Sequence, residues 1–330
     1  MDISWKEKRV LITGANGFVG GWLASELRSL GARVVALARD GLQGGLSLHG
    51  VENIAVVHGD VTDKALVERV LAKYEIDTCF HLAAQSLVHV AACCPVATFE
   101  SNIRGTWTLL EQCRVLGAVR RIVVMTSDKV YGAQANPEAT EADPLLGLHP
   151  YDASKVCADV IARSYATAFG LPVAVARCAN IYGGGDLNYS RIVPYAVRCV
   201  LLGEPIRLRG DGASRREFLF VQDAVAALLA LATNLDRGEI RGRAFNFGSN
   251  EAITVLSLVR QIAASAARPD HEIVPAPSPA PGELVCQRLD SSLAKRLLSW
   301  RAEVDLTAGL QRTVDWYRTF YGAPGHGHRC

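Results

Sequence analysis

From residue 9 to about residue 180, short apolar runs rich in valine and isoleucine alternate with longer stretches of helical periodicity. The runs fall at 10–13, 33–38, 54–58, 78–82, 122–126 and 173–177, and most are apolar continuously rather than alternately. Continuous apolar strands are buried on both faces, so the pattern predicts an α/β fold, a Rossmann-like, doubly wound parallel sheet with helices above and below. Helices are predicted at 18–30 and 98–117. In the second, Phe99, Ile103, Trp107 and Leu110 recur every three or four residues and mark one apolar face.

Beyond Asn180 the regularity fades. Residues 182–216 are rich in glycine and arginine, and an apolar helix at 223–232 and a strand at 244–248 come after them. The chain is therefore expected to leave the sheet and return to it. Two helix-like stretches flank a proline-rich break at 275–282, which predicts a smaller α/β cap over the strand ends. The expected organisation is a main domain at 1–180, rejoined at about 217–249, a cap from 181–216 and 250–322, and a frayed tail at 323–330. No internal repeat is found.

Composition narrows the class. A chain of 330 residues exceeds the usual ceiling of one core. With 49% hydrophobic and 21% charged residues and a net charge of +2, neither disorder nor a nucleic-acid-binding basic field is expected. The nine cysteines (Cys79, Cys93, Cys94, Cys113, Cys157, Cys178, Cys199, Cys286, Cys330) are odd in number and lack the paired spacing of a zinc site. They read as reduced thiols, and no metal is expected. The first residues carry no apolar run before a cleavage site, and no segment reaches ~18 uninterrupted apolar residues, so no membrane partner and a cytoplasmic location are expected.

The first strand runs directly into Thr13-Gly14-Ala15-Asn16-Gly17-Phe18-Val19-Gly20 and a helix. Glycines there permit a tight turn, a close approach to a pyrophosphate and helix-on-strand packing, which points to a dinucleotide. At the end of strand two a ribose contact is expected from Leu37-Ala38-Arg39-Asp40. Because Arg39 precedes the carboxylate, NAD and NADP both stand as cofactors at this stage. Gly59-Asp60-Val61 suits an adenine contact, and Asp60 suits equally the N-cap of the next helix.

Tyr151 and Lys155 lie four apart at the start of a predicted helix, on one face. A phenol with an ordinary pKa of ~10 becomes a useful base when a neighbouring cation stabilises its phenolate. Strand five ends in Thr126-Ser127-Asp128-Lys129-Val130-Tyr131-Gly132, which brings a hydroxyl and two ionisable groups to the strand's carboxyl end, where an α/β sheet binds ligands. The bland alternative is that Ser127 caps a turn and Asp128 and Lys129 form a local ion pair. A proline-bearing loop at 136–150 joins these segments, either as a flap over the site or as a stiff connector.

These segments together resemble the extended short-chain dehydrogenases/reductases that modify nucleotide sugars, the NAD-dependent epimerase/dehydratase group. The resemblance covers about residues 9–318 and rests on TGANGFVG (13–20), GDVTD (59–63), HLAAQ (81–85), TSDKVYG (126–132), YDASK (151–155), RCANIYGGGD (177–186), GDGASRREFLFVQD (210–223) and AFNFGS (244–249). It implies that Ser127, Tyr151 and Lys155 form a redox triad. It also implies that Gly14, Gly17 and Gly20 hold the pyrophosphate and that Ala83, Ala84 and Gln85 line the path of the dinucleotide; Asn16, Phe18, Val19, Arg39, Asp60, Val61, Leu82, Tyr151 and Lys155 complete the expected cofactor contacts. Gln85, Asn180, Arg191 and Arg216 are implied to bind a nucleotide-diphosphate sugar, and a homodimer paired through the helices of Trp107 and Tyr151 is implied as well.

In 4,6-dehydratases of the group, the residue after the hydroxyl protonates the departing C6 hydroxyl and the next removes the C5 proton; 4-epimerases need neither. Ser127-Asp128-Lys129 is most similar to the pattern of CDP-glucose 4,6-dehydratases, whereas 210–223 looks closer to epimerases and to dTDP- or GDP-sugar enzymes. The expectation is a nucleotide-sugar 4,6-dehydratase, with a 4-epimerase as the alternative. A non-catalytic dinucleotide sensor is a third class, for which hydroxyl, phenol and ammonium together would be superfluous.

Overall fold

In the computed structural model, residues 4–39, 44–51, 54–133, 136, 138–279 and 285–322 are described. Asp40, Pro137, Gly282 and the tail predicted at 323–330 lie outside them. The first part of the chain alternates strand and helix: β1 (Arg9–Thr13), α1 (Phe18–Ser29), β2 (Arg33–Ala38), α2 (Gly45–Leu48), β3 (Ala55–His58), α3 (Lys64–Lys73) and β4 (Thr78–His81). Then come α4 (Val88–Cys93), α5 (Pro95–Phe99), a π-helical turn (Glu100–Arg104), α6 (Gly105–Leu116), β5 (Arg121–Ser127), β6 (Glu138–Ala139), α7 (Pro150–Phe169) and β7 (Val173–Cys178). The second part holds β8 (Asn180–Tyr182), α8 (Ile192–Leu202), β9 (Ile206–Arg207), β10 (Arg215–Phe220), α9 (Val221–Asn234) and β11 (Ala244–Phe247). It ends with β12 (Ala252–Thr254), α10 (Val255–Ser265), β13 (Ile273–Val274), β14 (Cys286–Leu289), α11 (Ser292–Leu298) and α12 (Leu306–Gly322).

Seven parallel strands form the main sheet in the order β11-β7-β5-β4-β1-β2-β3. This is the doubly wound α/β architecture that the apolar runs predict. Successive residues of a strand face opposite sides, so Ile12 joins a core with Leu23, Phe80, Val123 and Leu228, while Leu11 joins one with Val67, Leu109, Ile122 and Val175. The order reverses between β1 and β4, which opens a crevice at their carboxyl ends.

A smaller sheet, β12-β10-β14-β6 with β8 beside β10, a two-stranded β13-β9 ribbon, and the packed helices α8, α10 and α12 make the second layer. Its core gathers Val197, Phe218, Leu258, Ile262, Leu310 and Val314. Two expectations change here. The stretch 182–216 is less irregular than its composition suggests, since it contains α8, and β10 belongs to the small sheet, so the chain rejoins the main layers at Val221. The region after the proline-rich break holds two helices, α11 and α12, in addition to α10 before it.

The helix expected at 98–117 is interrupted by the π-helical turn, and its apolar face is not the buried one. Of the four marker residues only Leu110 is buried; Phe99 is 37% and Trp107 45% exposed. The inward face is built from Thr98, Asn102, Gly105, Thr106 and Leu109 instead. The inward positions keep helical spacing through the π turn, and the packing distance there admits only small groups: a Cβ on Gly105 would lie 2.6 Å from Val61 Cγ1.

Candidate active site

The crevice is a cavity of about 750 Å³ along the carboxyl ends of the central strands. At its middle, Gly14, Asn16, Gly17, Phe18, Val19 and Gly20 form the β1–α1 turn; Arg39, Asp60 and Val61 line the side of β2 and β3; Leu82, Ala83, Ala84 and Gln85 continue from β4; and Tyr151, Lys155 and Arg191 complete the wall. The turn is tight enough to need its glycines. Gly14 has φ +72°, and a Cβ there would sit 2.8 Å from the Ala83 nitrogen, while one on Gly20 would sit 2.3 Å from the Gly14 carbonyl oxygen. A dinucleotide fits this cradle: bare backbone at the start of α1 faces the cavity, which extends from the side of β2 and β3 to the side of Tyr151.

Asp60 accepts from the Thr62 amide at 2.9 Å and does not cap the following helix; that cap is Asp63, which accepts from Leu66 N at 3.0 Å. Under the turn, Thr13 Oγ1 and His81 Nδ1 lie 2.8 Å apart, and His81 Nε2 lies 3.0 Å from Thr106 Oγ1. Burial, helped by Lys155, lowers His81 to about 3, so the imidazole is a neutral strut there.

The chemistry-bearing groups gather where β5 meets α7: Tyr151 and Lys155 line the cavity, and Ser127, Asp128 and Lys129 stand behind them, outside its lining. Ser127 ends β5 and caps a 3₁₀ turn, Asp128–Tyr131, accepting from Lys129 N at 3.3 Å. Its hydroxyl donates to Asp128 Oδ1 at 2.9 Å and also hydrogen-bonds the Tyr151 phenol. A hydroxyl has one proton, so Ser127 joins phenol and carboxylate as a single-file bridge. Burial pushes Tyr151 up to about 12, opposed by the Ser127 bond and, farther off, by Arg191. Lys155 reaches under β5 to donate to the Met125 carbonyl at 3.1 Å, and burial lowers it to about 8. Lys129 Nζ stands 3.9 Å from Asp128 Oδ2. Turn cap and ion pair are thus both present, alongside the convergence.

Not every expected substrate contact lies on this wall. Asn180 donates to the Glu217 carbonyl at 3.0 Å and Arg216 to the Arg215 carbonyl at 2.8 Å, outside the cavity lining. Arg191 is on the wall but clasps Asp186 at 2.9 Å and reaches Ser86 at 3.0 Å. Three positioning residues escape the sequence reading. Asn102, in the π turn, accepts from Gln85 N at 2.7 Å and donates to the Gln85 carbonyl at 3.0 Å and to Ser154 Oγ at 2.8 Å. Ser154 in turn donates to the Tyr151 carbonyl at 2.6 Å. Gln287, on β14, donates to the Asp128 carbonyl at 2.9 Å and accepts from Lys129 Nζ. A polar residue on the inward face of an apolar helix is the signal that could have found Asn102; Gln287 has none, being brought in from the far part of the chain.

Fold and site together define a Rossmann-like α/β scaffold in which the end of β5 and the start of α7 bring a hydroxyl, a phenol and an amine together. Residues 10–248 match the model of the NAD dependent epimerase/dehydratase family, and the chain belongs to that family. It is 33% identical to a dTDP-glucose 4,6-dehydratase of Xanthomonas campestris pv. campestris over 94% of this chain and 93% of that one. It is 30% identical to a UDP-glucose 4-epimerase of Mycolicibacterium smegmatis over 94% and 98%. The crystal structure of the dTDP-glucose 4,6-dehydratase of Streptomyces venezuelae with NAD bound superposes with a TM-score of 0.86, at 30% identity, over 95% of this chain and 98% of that one. The chain spans about half the length, 48%, of a matching trifunctional UDP-glucose 4,6-dehydratase of Arabidopsis thaliana. It is an enzyme of an NAD-dependent family whose members here are nucleotide-sugar dehydratases and epimerases, and its cofactor is NAD.

Proposed function

We propose that the protein is a nucleotide-sugar 4,6-dehydratase. One observation carries the reading: a carboxyl group and an ammonium, Asp128 and Lys129, stand directly beside the Ser127–Tyr151 pair. Bound NAD would supply a hydride acceptor for C4 and later a donor for C6. Tyr151 takes the proton of the sugar 4-hydroxyl, and Lys155 anchors its helix under β5. The 4-ketone makes the C5 proton acidic; Lys129, as the free amine, removes it. Asp128, as the acid, protonates the departing C6 oxygen, so that water leaves and the C5–C6 double bond forms. Ser127 offers the proton held by Tyr151 a path of one hydroxyl to Asp128. Hydride addition at C6 and protonation at C5 complete a sequence with no net oxidation.

The site residues carry these roles as proposals: Gly14, Asn16, Gly17, Phe18, Val19, Gly20, Arg39, Asp60, Val61, Leu82 to Gln85, Tyr151 and Lys155 for the dinucleotide, and Gln85, Asn180, Arg191 and Arg216 for the nucleotide sugar. Arg191 would exchange Asp186 for a phosphate. A cytoplasmic homodimer belongs to the same reading; among the described residues no helix is long and apolar enough to cross a membrane. A 4-epimerase is the second reading, favoured by the 30% identity to a UDP-glucose 4-epimerase.

The test is incubation with CDP-, dTDP-, GDP- and UDP-hexoses and NAD, read by mass spectrometry. A product lighter by one water is expected. An unchanged mass with inverted C4 in the NMR spectrum would replace the dehydratase by the epimerase. Asp128→Ala should slow water loss far more than C4 oxidation, and equal loss of both steps would remove Asp128 from the role of acid.

A further inference from the structure

The two groups proposed to carry elimination sit on a 3₁₀ turn of four residues, Asp128–Tyr131. Such a turn fixes backbone direction but leaves a four-carbon lysine side chain free to rotate. Lys129 is half-buried, its side chain 21% exposed, and its ion pair with Asp128 at 3.9 Å is too long to hold it in one place. Its anchor comes from elsewhere in the chain. Gln287, itself 5% exposed, accepts from Lys129 Nζ through its side-chain oxygen and donates through its side-chain nitrogen to the Asp128 carbonyl at 2.9 Å. One amide thus grips the backbone of the acid and the side chain of the base at once.

Gln287 is placed rigidly for this. Strand β14 lies between β10 and β6, with Arg216 opposite Gln287 and Glu138 opposite Arg288. Glu217, on the neighbouring strand, accepts from Leu289 N at 2.7 Å and from Asn250 N, locking the β14 backbone. The side-chain type also has a consequence. A carboxylate at this position would hold Lys129 as an ammonium, because an adjacent anion favours the charged form. An amide fixes the nitrogen's position without adding a charge, which leaves the amine able to lose its proton. The charged and titratable groups around Lys129 are Asp128 on its own turn and Asp152 on α7, with His149 acting on Asp152, and Tyr151 and Glu217 acting on Asp128. A carboxylate in place of the amide would add one more anion to those already close to the nitrogen.

We infer that Gln287 is a positioning residue for the elimination step, orienting the Lys129 amine toward C5 while leaving it free to act as a base. The inference rests on the dehydratase reading and deepens it. The experiment separates the steps with the full-length enzyme and the nucleotide hexose that turns over. Single-turnover nicotinamide absorbance tracks C4 oxidation, and deuterium uptake at C5 from D₂O and water loss track elimination, in the parent and in Gln287→Met, Gln287→Glu and Lys129→Met.

Gln287→Met should slow elimination by about a hundredfold, as a displaced catalytic group does, with C4 oxidation changed less than about threefold. Gln287→Glu, isosteric, keeps as a carboxylate the bond accepted from Lys129 Nζ while losing the one donated to the Asp128 carbonyl, and should move the acid limb of the elimination pH profile to higher pH. A purely structural role would depress oxidation and elimination alike and leave that limb in place, which overturns the inference. Elimination lost in Lys129→Met but intact in both Gln287 variants overturns the inference alone and leaves Lys129 as the base. Full elimination in Lys129→Met overturns the dehydratase role of Lys129, and the inference with it.

Discussion

At the scale of single residues, burial shifts the titratable groups of the site toward their uncharged forms. Tyr151 is the sharpest case: burial raises it to about 12, Asp128 and Asp152 add to the rise, and the Ser127 bond is the largest effect in the opposite direction. A phenol acts as a base only as phenolate, so C4 oxidation increases as pH rises toward the tyrosine's pKa. Whatever raises that pKa moves this acid limb to higher pH. Ser127→Ala removes the main downward influence. Its C4 oxidation should therefore fall at neutral pH by about tenfold for each unit the limb moves up, with oxidation recovering in alkaline buffer. The pH profile of single-turnover oxidation measures this, and a profile that keeps its position would show that Ser127 does not tune the phenol.

Elements explain which of these residues were legible in the sequence. Gly14, Tyr151, Lys155 and the Ser127-Asp128-Lys129 run could be read because each lies at a strand end or in the first turn of a helix, where local spacing determines location. The main sheet was legible because strands buried on both faces are apolar throughout. The buried face of 98–117 was not legible, because close packing against the β3–α3 connection selects small and polar side chains for the inward face and leaves Phe99 and Trp107 beside it. Asn102 shows the function of the π-helical turn: its three bonds to Gln85 and Ser154 tie the β4 loop to α7, and thus one wall of the cavity to the helix of Tyr151. Asn102→Leu leaves these partners buried without it and should destabilise the fold by about 2–4 kcal/mol. NAD affinity should fall as the Gln85 segment loosens. Thermal unfolding and calorimetric NAD titration test the pair of effects; unchanged NAD affinity in a folded variant would confine Asn102 to a structural role.

For the whole molecule, the apolar side chains exposed on this stretch and on its neighbouring helix call for an account that a single copy does not give. Val96 is 72%, Phe99 37%, Trp107 45% and Val160 51% exposed, on the helices α5, α6 and α7, which pack side by side. Scattered exposed hydrophobics are ordinary, but several large ones on adjacent helices form the kind of patch that soluble proteins cover. A two-fold pairing covers it most simply, because the same face then meets itself, and two helices of each copy, α7 being 20 residues and so about 30 Å long, supply the roughly 800 Å² per partner of a standard interface. A charge at the centre of such a face has no partner across the axis except its own copy. Trp107→Glu should accordingly convert a dimer of the 35.5 kDa chain into a monomer in light scattering, with Trp107→Phe remaining dimeric. Because Tyr151 and Lys155 stand in the first turns of α7, monomerisation should also lower the unfolding temperature and the rate of C4 oxidation together. A parent protein that is monomeric at every concentration, or a Trp107→Glu variant that keeps the parent's mass, would assign the exposed face to another purpose.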